Sequence, residues 1–463
     1  MNIILDKNSA NPLYRQLSDA LQALIEDGTL APDVKLPPIR TMAKNLDVNT
    51  ITVVSAYKNL EIKKLVYSTI GSGTYVSKIT AQPLPVQANE NKFTIRAENA
   101  SGMINFADSA TDSSLFPVGA FRRAFEDVLE KDGGAAFDYH DSRGYYPLRE
   151  QLCEYLDESS VKAQSENIQI ISGAQQGLDI LAKTLLGPGD AALIEQPAFY
   201  GAAGAFASRG ARIYEMPMLS DGPDMDKAEA LIKQYRPKCV YVMPNFQTPT
   251  GVSYSAEKKR RLLELAYQNE TYIIEDDNQN DFYYDGKRRV PLKALDYRNR
   301  VVYIKSFSKI LMPGLRIGFM ALPMKLAVTT AKRNTDVETS GFIQRAFDAY
   351  LRSGGFSDHG YYIRAKYGMR YRTVLSAINE NLSYSVSFTP PGGGLSFWLS
   401  PLNEKWVGNT DELCEAIAEK GVLMTPGSVF SAGCANFFRI SFAAAPENKL
   451  AEGIAAAAAV IRS

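Results

Sequence analysis

Histidine is almost missing from this chain: His140 and His359 are the only two, far apart in sequence. Zinc hydrolysis and histidine-based triads are therefore poor candidates, and no metal site is expected. The four cysteines, Cys153, Cys239, Cys414 and Cys434, are scattered without CxxC spacing. They read as reduced core thiols, not as a disulfide or zinc framework. No apolar run reaches the roughly 18 residues of a membrane helix. The N-terminus also lacks a signal-peptide core, so the expected location is the cytoplasm, with no membrane partner. Net charge is absent too: 51 basic side chains offset 51 acidic ones. Whole-chain charge thus argues neither for nor against nucleic acid. What remains for chemistry is Lys, Asp, Arg and an organic cofactor.

The 463 residues are 45% hydrophobic and 22% charged, a balance that suits globular protein with two or three cores. The zero net charge hides an asymmetry. Residues 1–34 carry two basic and five acidic side chains, whereas residues 35–80 carry seven basic and two acidic ones. A short basic segment in a neutral protein suggests a local polyanion site or, equally, a solvated surface. The stretch Thr80–Asn89 is rich in Pro, Gln and Asn without an apolar period, so 80–103 reads as a linker. From Ile104 onward short β-branched runs alternate with amphipathic stretches, which implies a parallel α/β sheet. The expected division is 1–79, a linker at 80–103, and 104–463. The Ala-rich run Ala455–Ala459 fits a closing helix.

In the first segment, Asn11-Pro12 suits a helix start, and Leu13, Leu17, Leu21, Leu24 and Ile25 share one helical face. A second helix is expected from about Pro38 to Asn45, burying Ile39, Met42 and Ala43. After the turn Leu46-Asp47-Val48, Asn49 can cap a third helix. Val53, Tyr57 and Leu60 form its inner face, and Thr50, Thr52, Ser55 and Lys58 face outward. Two short helices joined by a tight turn have the layout of a helix-turn-helix. Val66 to Val76 then reads as a β-hairpin with glycines at its tip. Pro12-Leu13-Tyr14, Leu36-Pro37-Pro38-Ile39-Arg40, Thr52-Val53-Val54-Ser55-Ala56-Tyr57 and Gly71-Ser72-Gly73-Thr74-Tyr75-Val76 together resemble the GntR-type winged helix. The resemblance implies contacts to double-stranded DNA from Arg40, Lys44, Asn49, Thr50, Thr52, Tyr57, Lys58 and Gly73. The chain departs from the family's pattern at Pro38, where Ser is common, and at Thr50, where Arg is frequent. Losing that Arg removes a charge-assisted contact and should alter sequence preference without abolishing binding.

The strongest chemical signal lies in the second segment. Ser306-Phe307-Ser308-Lys309 follows the apolar strand Val301-Val302-Tyr303-Ile304, and Arg316 comes seven residues later. A lysine just past a strand end can present its amine to a carbonyl. Flanking hydroxyls and an arginine suit a phosphate dianion. Thirty-three residues before the lysine, Thr271-Tyr272-Ile273-Ile274-Glu275-Asp276 ends a strand in a carboxylate. Alone such an aspartate commonly caps a helix; beside the lysine motif it can hold a pyridine nitrogen protonated. Ile170-Ile171-Ser172-Gly173-Ala174-Gln175 runs a strand into a helix start, a ready anion site. Phe199, in Glu195-Gln196-Pro197-Ala198-Phe199-Tyr200-Gly201, could stack on a flat ring.

With Pro244–Gly251, Gly392–Trp398, Pro426–Phe430 and Phe438–Phe442, this series resembles a fold-type I aminotransferase over 104–463, with a smaller C-terminal α+β subdomain. The resemblance implies pyridoxal 5'-phosphate in Schiff-base linkage to Lys309, with Asp276 on the pyridinium and Phe199 on the ring. Ala174, Gln175, Ser306, Ser308 and Arg316 would bind the phosphate, and Tyr139 would reach in from a second subunit. Arg439 would hold the carboxylate of an amino compound, although a buried arginine can also be a core partner. Two positions that normally hydrogen-bond the cofactor's phenolic oxygen differ: Thr248 stands for Asn, and Asn278 for Tyr. Cofactor binding should survive these changes, whereas efficient transamination is put in doubt. A GntR-like segment followed by an aminotransferase-like one resembles the MocR family of bacterial regulators. This implies a homodimer, head-to-tail and domain-swapped, that answers a small amino-compound effector. The rival expectation is a working aminotransferase that carries a DNA-binding domain.

Overall fold

The structure, a computed structural model, describes residues 3, 5–6, 12–26, 29–30, 34–62, 65–69, 72–77, 102–108, 110–324 and 326–463. The expected linker lies outside the described residues except at 102 and 103. The chain divides into two compact units, Met1–Gln82 and Pro83–Ser463.

In the first unit the apolar spacing gives three helices: α1 (Leu13–Glu26), α2 (Ile39–Leu46) and α3 (Thr50–Ile62). Leu17, Leu21 and Ile25 of α1 fall at four-residue intervals and pack on Val53, Ala56, Tyr57 and Leu60 of α3 with Met42 and Ala43 of α2. Asp47 ends α2 in the left-handed conformation. The Asn49 side-chain oxygen then accepts the Ile51 N–H at 3.0 Å, satisfying a donor that the start of α3 would otherwise leave open. Strands β1 (Val66–Thr69) and β2 (Gly73–Val76) pair antiparallel, with Thr69 opposite Gly73. Lys35 bridges to Tyr75, so the chain before α2 adds a third edge to the wing.

The second unit is built on an eight-stranded sheet. After β3 (Ile104–Asn105) its strands are β4 (Ile168–Ile171), β5 (Ala191–Gln196), β6 (Arg212–Leu219), β7 (Gly222–Pro223), β8 (Cys239–Val242), β9 (Tyr272–Asp276), β10 (Val301–Ser306) and β11 (Gly318–Ala321). Their order is β4-β11-β10-β9-β8-β5-β6-β7. The strands β4, β8, β10 and β11 are buried along their whole length, as strands covered on both faces are.

The sheet is mixed, which corrects the expectation of a parallel one. β11 runs antiparallel to both β10 and β4, and β7 folds back on β6. The segment between β10 and β11 is too short for a crossover, so the chain returns beside β10 as a hairpin. That return is the stretch that carries Lys309. The carboxyl ends of β4, β5, β8, β9 and β10 point the same way, and such ends are where open α/β sheets place ligands.

Four further strands, β12 (Val386–Ser387), β13 (Ser396–Pro401), β15 (Thr425–Pro426) and β16 (Phe438–Ser441), form an antiparallel sheet, while β14 (Val422–Leu423) pairs with β3. The Ala-rich tail is helical, Leu450–Ile461, as its composition predicts.

Candidate functional site

Asp276 ends β9 inside the unit, 1% exposed. Tyr241 of β8 donates its hydroxyl to Asp276 Oδ2 at 2.9 Å. Asp276 Oδ1 is buried with no hydrogen-bond partner. Burial pushes this carboxyl up to about 7, opposed by the Tyr241 hydrogen bond. An orphaned buried acceptor is costly unless something supplies a donor, and a protonated pyridine nitrogen is such a donor.

Beside it, the ends of β10 and β4 form a cradle. Ser306 Oγ donates to Ser308 Oγ at 3.0 Å and accepts the Ser308 N–H at 3.3 Å. Arg316, itself left-handed at φ 51°, sends Nη2 to the Ser172 carbonyl at 2.6 Å and Nη1 to Ser308 Oγ at 3.5 Å. Gly173, at φ 96°, turns β4 into the helix Ala174–Leu185. A Cβ there would lie 2.6 Å from Arg316 Nη2, so only glycine lets the guanidinium lie across the helix start. Gln175 donates Nε2 to the Gly201 carbonyl at 3.0 Å, tying the cradle to the loop that carries Phe199, which is half-buried. An arginine, two hydroxyls and free N–H groups at a helix start are the donor set a phosphate requires.

Lys309 follows in the return after β10. Burial first, and then the charge of Arg439, push its amine down to about 8, against the pull of Asp108. The structure thus brings together Lys309 and Arg439, which the sequence keeps far apart. Arg439 is 6% exposed on β16. Its Nη2 donates to the Ala107 carbonyl at 2.5 Å and to Thr425 Oγ1 at 3.3 Å. Its Nε is buried with no partner, and the guanidinium lies 5.0 Å over the Phe430 ring. Burial lowers it to about 10. Among the described residues no carboxylate lies within ion-pair distance. A buried guanidinium held by carbonyl and hydroxyl groups alone leaves its charge for an anion.

The two departing positions are engaged within the protein. Asn278 Oδ1 accepts the Ser306 N–H at 2.9 Å. Thr248 Oγ1 accepts from Gln279 Nε2 at 3.3 Å, while Gln279 Oε1 is buried without a partner. Glu195, at the end of β5, accepts from the Tyr254 hydroxyl, from Gln247 Nε2 at 3.0 Å and from the Met243 N–H at 3.0 Å. These bonds clamp the loop before Thr248. Tyr139 is 87% exposed. Nothing in the sequence pattern singles out Tyr241, Gln279, Asp108 or Thr425. Tyr241 sits in an ordinary core strand, and the other three gain meaning only from what the fold sets beside them.

On the first unit, Arg40, Lys44, Asn49, Thr50, Lys58 and Gly73 are exposed, and Thr52 is half-buried. Tyr57 is a correction. It is 5% exposed, and its hydroxyl donates to the Pro37 carbonyl at 2.8 Å. The helix period turns it inward, so it pins α3 to the segment before α2 and does not share the outer face with Thr50 and Lys58.

A winged helix joined in one chain to a fold-type I unit with a lysine, a buried aspartate and an arginine cradle defines a fused regulator–aminotransferase architecture. The chain belongs to the family described as aminotransferase class I and II, which matches residues 102–456. Residues 13–76 match the bacterial regulatory proteins of the gntR family. The chain is 28% identical over 462 residues to the uncharacterized HTH-type transcriptional regulator YdfD of Bacillus subtilis (strain 168), covering 96% of this chain and 95% of the relative. It is also 28% identical to the probable rhizopine catabolism regulatory protein MocR of Rhizobium meliloti, covering 82% of this chain and 80% of that one. Among solved structures, kynurenine aminotransferase of Pyrococcus horikoshii in complex with PMP superposes with a TM-score of 0.76. It is 31% identical, covering 82% of this chain and 95% of that one. These relatives bear out the expected fusion of MocR type.

Proposed function

We propose that this protein is a pyridoxal-phosphate-dependent transcription regulator that binds operator DNA through α3 and the wing and senses an amino compound at Lys309. The observation that carries the reading is the orphaned Oδ1 of Asp276, set beside an arginine–serine cradle and a lysine of depressed pKa, in a chain that also holds a DNA reader.

Pyridoxal phosphate, when bound, supplies an aldehyde that exchanges imines with amines and a ring that withdraws electrons. Asp276 Oδ1 would accept the pyridine N–H and keep that proton in place. Arg316, Ser306, Ser308 and the N–H groups of Ala174 and Gln175 would hold the phosphate. Phe199 would stack against the ring. The Lys309 amine, lowered by burial and Arg439, gives up its proton near neutral pH. Arg439 seats the effector's carboxylate through a bidentate pair. Tyr139, too exposed to serve its own chain, completes the site of a partner in a head-to-tail homodimer. Effector binding alters DNA affinity only if it favours one arrangement of the dimer over another.

The test is spectral titration of the purified chain with pyridoxal phosphate and then with a panel of amines and amino acids. The expected result is an absorbance band near the visible edge that shifts with one ligand class. Lys309→Ala should lose both the band and the effector response. A response that survives in Lys309→Ala refutes covalent sensing.

The likeness to kynurenine aminotransferase favours a second reading, an active aminotransferase carrying a DNA-binding unit. Sustained amino transfer to 2-oxoglutarate by the purified protein would establish it.

A further inference from the structure

Two side chains of α3 are exposed where a helix surface is usually polar. Ile51 and Val54 are 70% and 44% exposed. At 3.6 residues per turn they and Lys58 lie within about 60° of one another, on the side away from Val53, Ala56 and Leu60. Both are β-branched, a type that exposed helix positions do not favour.

The rest of the helix's opening is equally telling. Residues 50–57 read Thr-Ile-Thr-Val-Val-Ser-Ala-Tyr. No Arg, Lys, Asn or Gln stands there to form a bidentate pair with guanine or adenine. The nearest amide, Asn49, has its oxygen engaged as the helix cap. Lys58 shares this face, and Lys35, Arg40 and Lys44 on the same unit are exposed as well, as phosphate-contacting side chains must be. A helix face that sets two apolar side chains beside a cation, on a unit with further exposed cations, matches a major groove whose floor is itself partly apolar. In B-DNA only thymine, through its C5-methyl group, makes it so.

We propose that Ile51 and Val54 read thymine methyl groups, so that the bound sequence carries A·T pairs beneath the first two turns of α3. The inference rests on the DNA-binding reading above.

The test uses the full chain and DNA chemistry instead of a folding-sensitive variant. A bound sequence is first selected from a randomised duplex library. Each thymine is then replaced by deoxyuridine, which differs only by the methyl group. At about 0.8 kcal/mol per buried methyl-sized group, at least one replacement should weaken binding about fourfold. Ile51→Ala or Val54→Ala should bind the thymine and uracil duplexes equally. Selective binding with thymine and uracil equivalent at every position overturns the inference and leaves DNA recognition standing. A chain that binds no duplex overturns both, and the apolar face then belongs to a protein contact.

Discussion

Replacing Gly173 by Ala isolates the phosphate cradle. The new Cβ would stand 2.6 Å from Arg316 Nη2, 3.2 Å from Cζ and 3.3 Å from Nη1. Ordinary contact begins near 3.4 Å, so the guanidinium must retreat by about 0.8 Å. That breaks the 2.6 Å bond from Nη2 to the Ser172 carbonyl and draws the cation off the helix start. A hydrogen bond to a charged group is worth about 1.5–3 kcal/mol, hence roughly 10- to 150-fold in affinity for a phosphorylated ligand. The backbone strain of alanine at φ 96° adds about 1–3 kcal/mol. That cost falls on free and bound protein alike, so it lowers the melting temperature without entering the affinity. Calorimetric titration with pyridoxamine phosphate separates the two effects, because this ligand carries the phosphate and forms no bond to Lys309. Unphosphorylated pyridoxamine is the control, and only the phosphorylated ligand should lose affinity in Gly173→Ala. Equal losses for both, or a ratio within about threefold of the native protein's, would refute the cradle.

Burial and Arg439 hold Lys309 down to about 8, so its neutral, nucleophilic form grows as pH rises through that value. The rate of pyridoxal phosphate uptake by cofactor-free protein should climb about tenfold from pH 7 to pH 9 and then level off. A rate still climbing in proportion to hydroxide above pH 9 would indicate an ordinary lysine. Tyr57→Phe removes the hydroxyl that satisfies the Pro37 carbonyl and should cost the winged helix about 1 kcal/mol in urea unfolding. Its DNA affinity under native conditions should stay within about twofold, and a large affinity loss at unchanged stability would restore Tyr57 to the interface. Lys44→Ala should make the slope of log affinity against log salt less negative by about 0.9 while leaving base preference unchanged. A changed preference would show that Lys44 touches a base.

What could be read in advance was whatever lies close together in the chain. The α1 stripe from Leu13 to Ile25, the Asn49 cap, the hairpin at Val66–Val76 and the lysine at the end of Val301–Ser306 each depend on residues within one or two turns of each other. Tyr57 shows the limit of resemblance. Its place in a shared motif suggested a DNA contact, whereas the helix period already put it on the inner face with Val53 and Leu60. The antiparallel β11 escaped because Gly318–Ala321 is as apolar as its parallel neighbours, and direction leaves no mark on composition. The hydrogen bonds of Thr248 with Gln279 and of Asn278 with Ser306 could not be foreseen either. Each joins positions 28 or more residues apart, and only strand order decides who meets whom.

The same strand order couples two residues that the sequence presents as unrelated. Arg439 comes from the antiparallel sheet near the C-terminus and Lys309 from the hairpin after β10, yet the guanidinium is the second cause of the lysine's low pKa. Repulsion between two cations is strong in a buried setting, where little water screens it. An anion on the unpartnered side of Arg439 cancels part of that repulsion and lets Lys309 regain proton affinity. Seating a carboxylate there should therefore raise the proton affinity of Lys309. On the proposed reading, an amino acid, which brings its own carboxylate, would engage both groups at once, whereas a simple amine would leave Arg439 uncompensated. Under that reading the buried cation would rank possible effectors by their charge before any side chain is read.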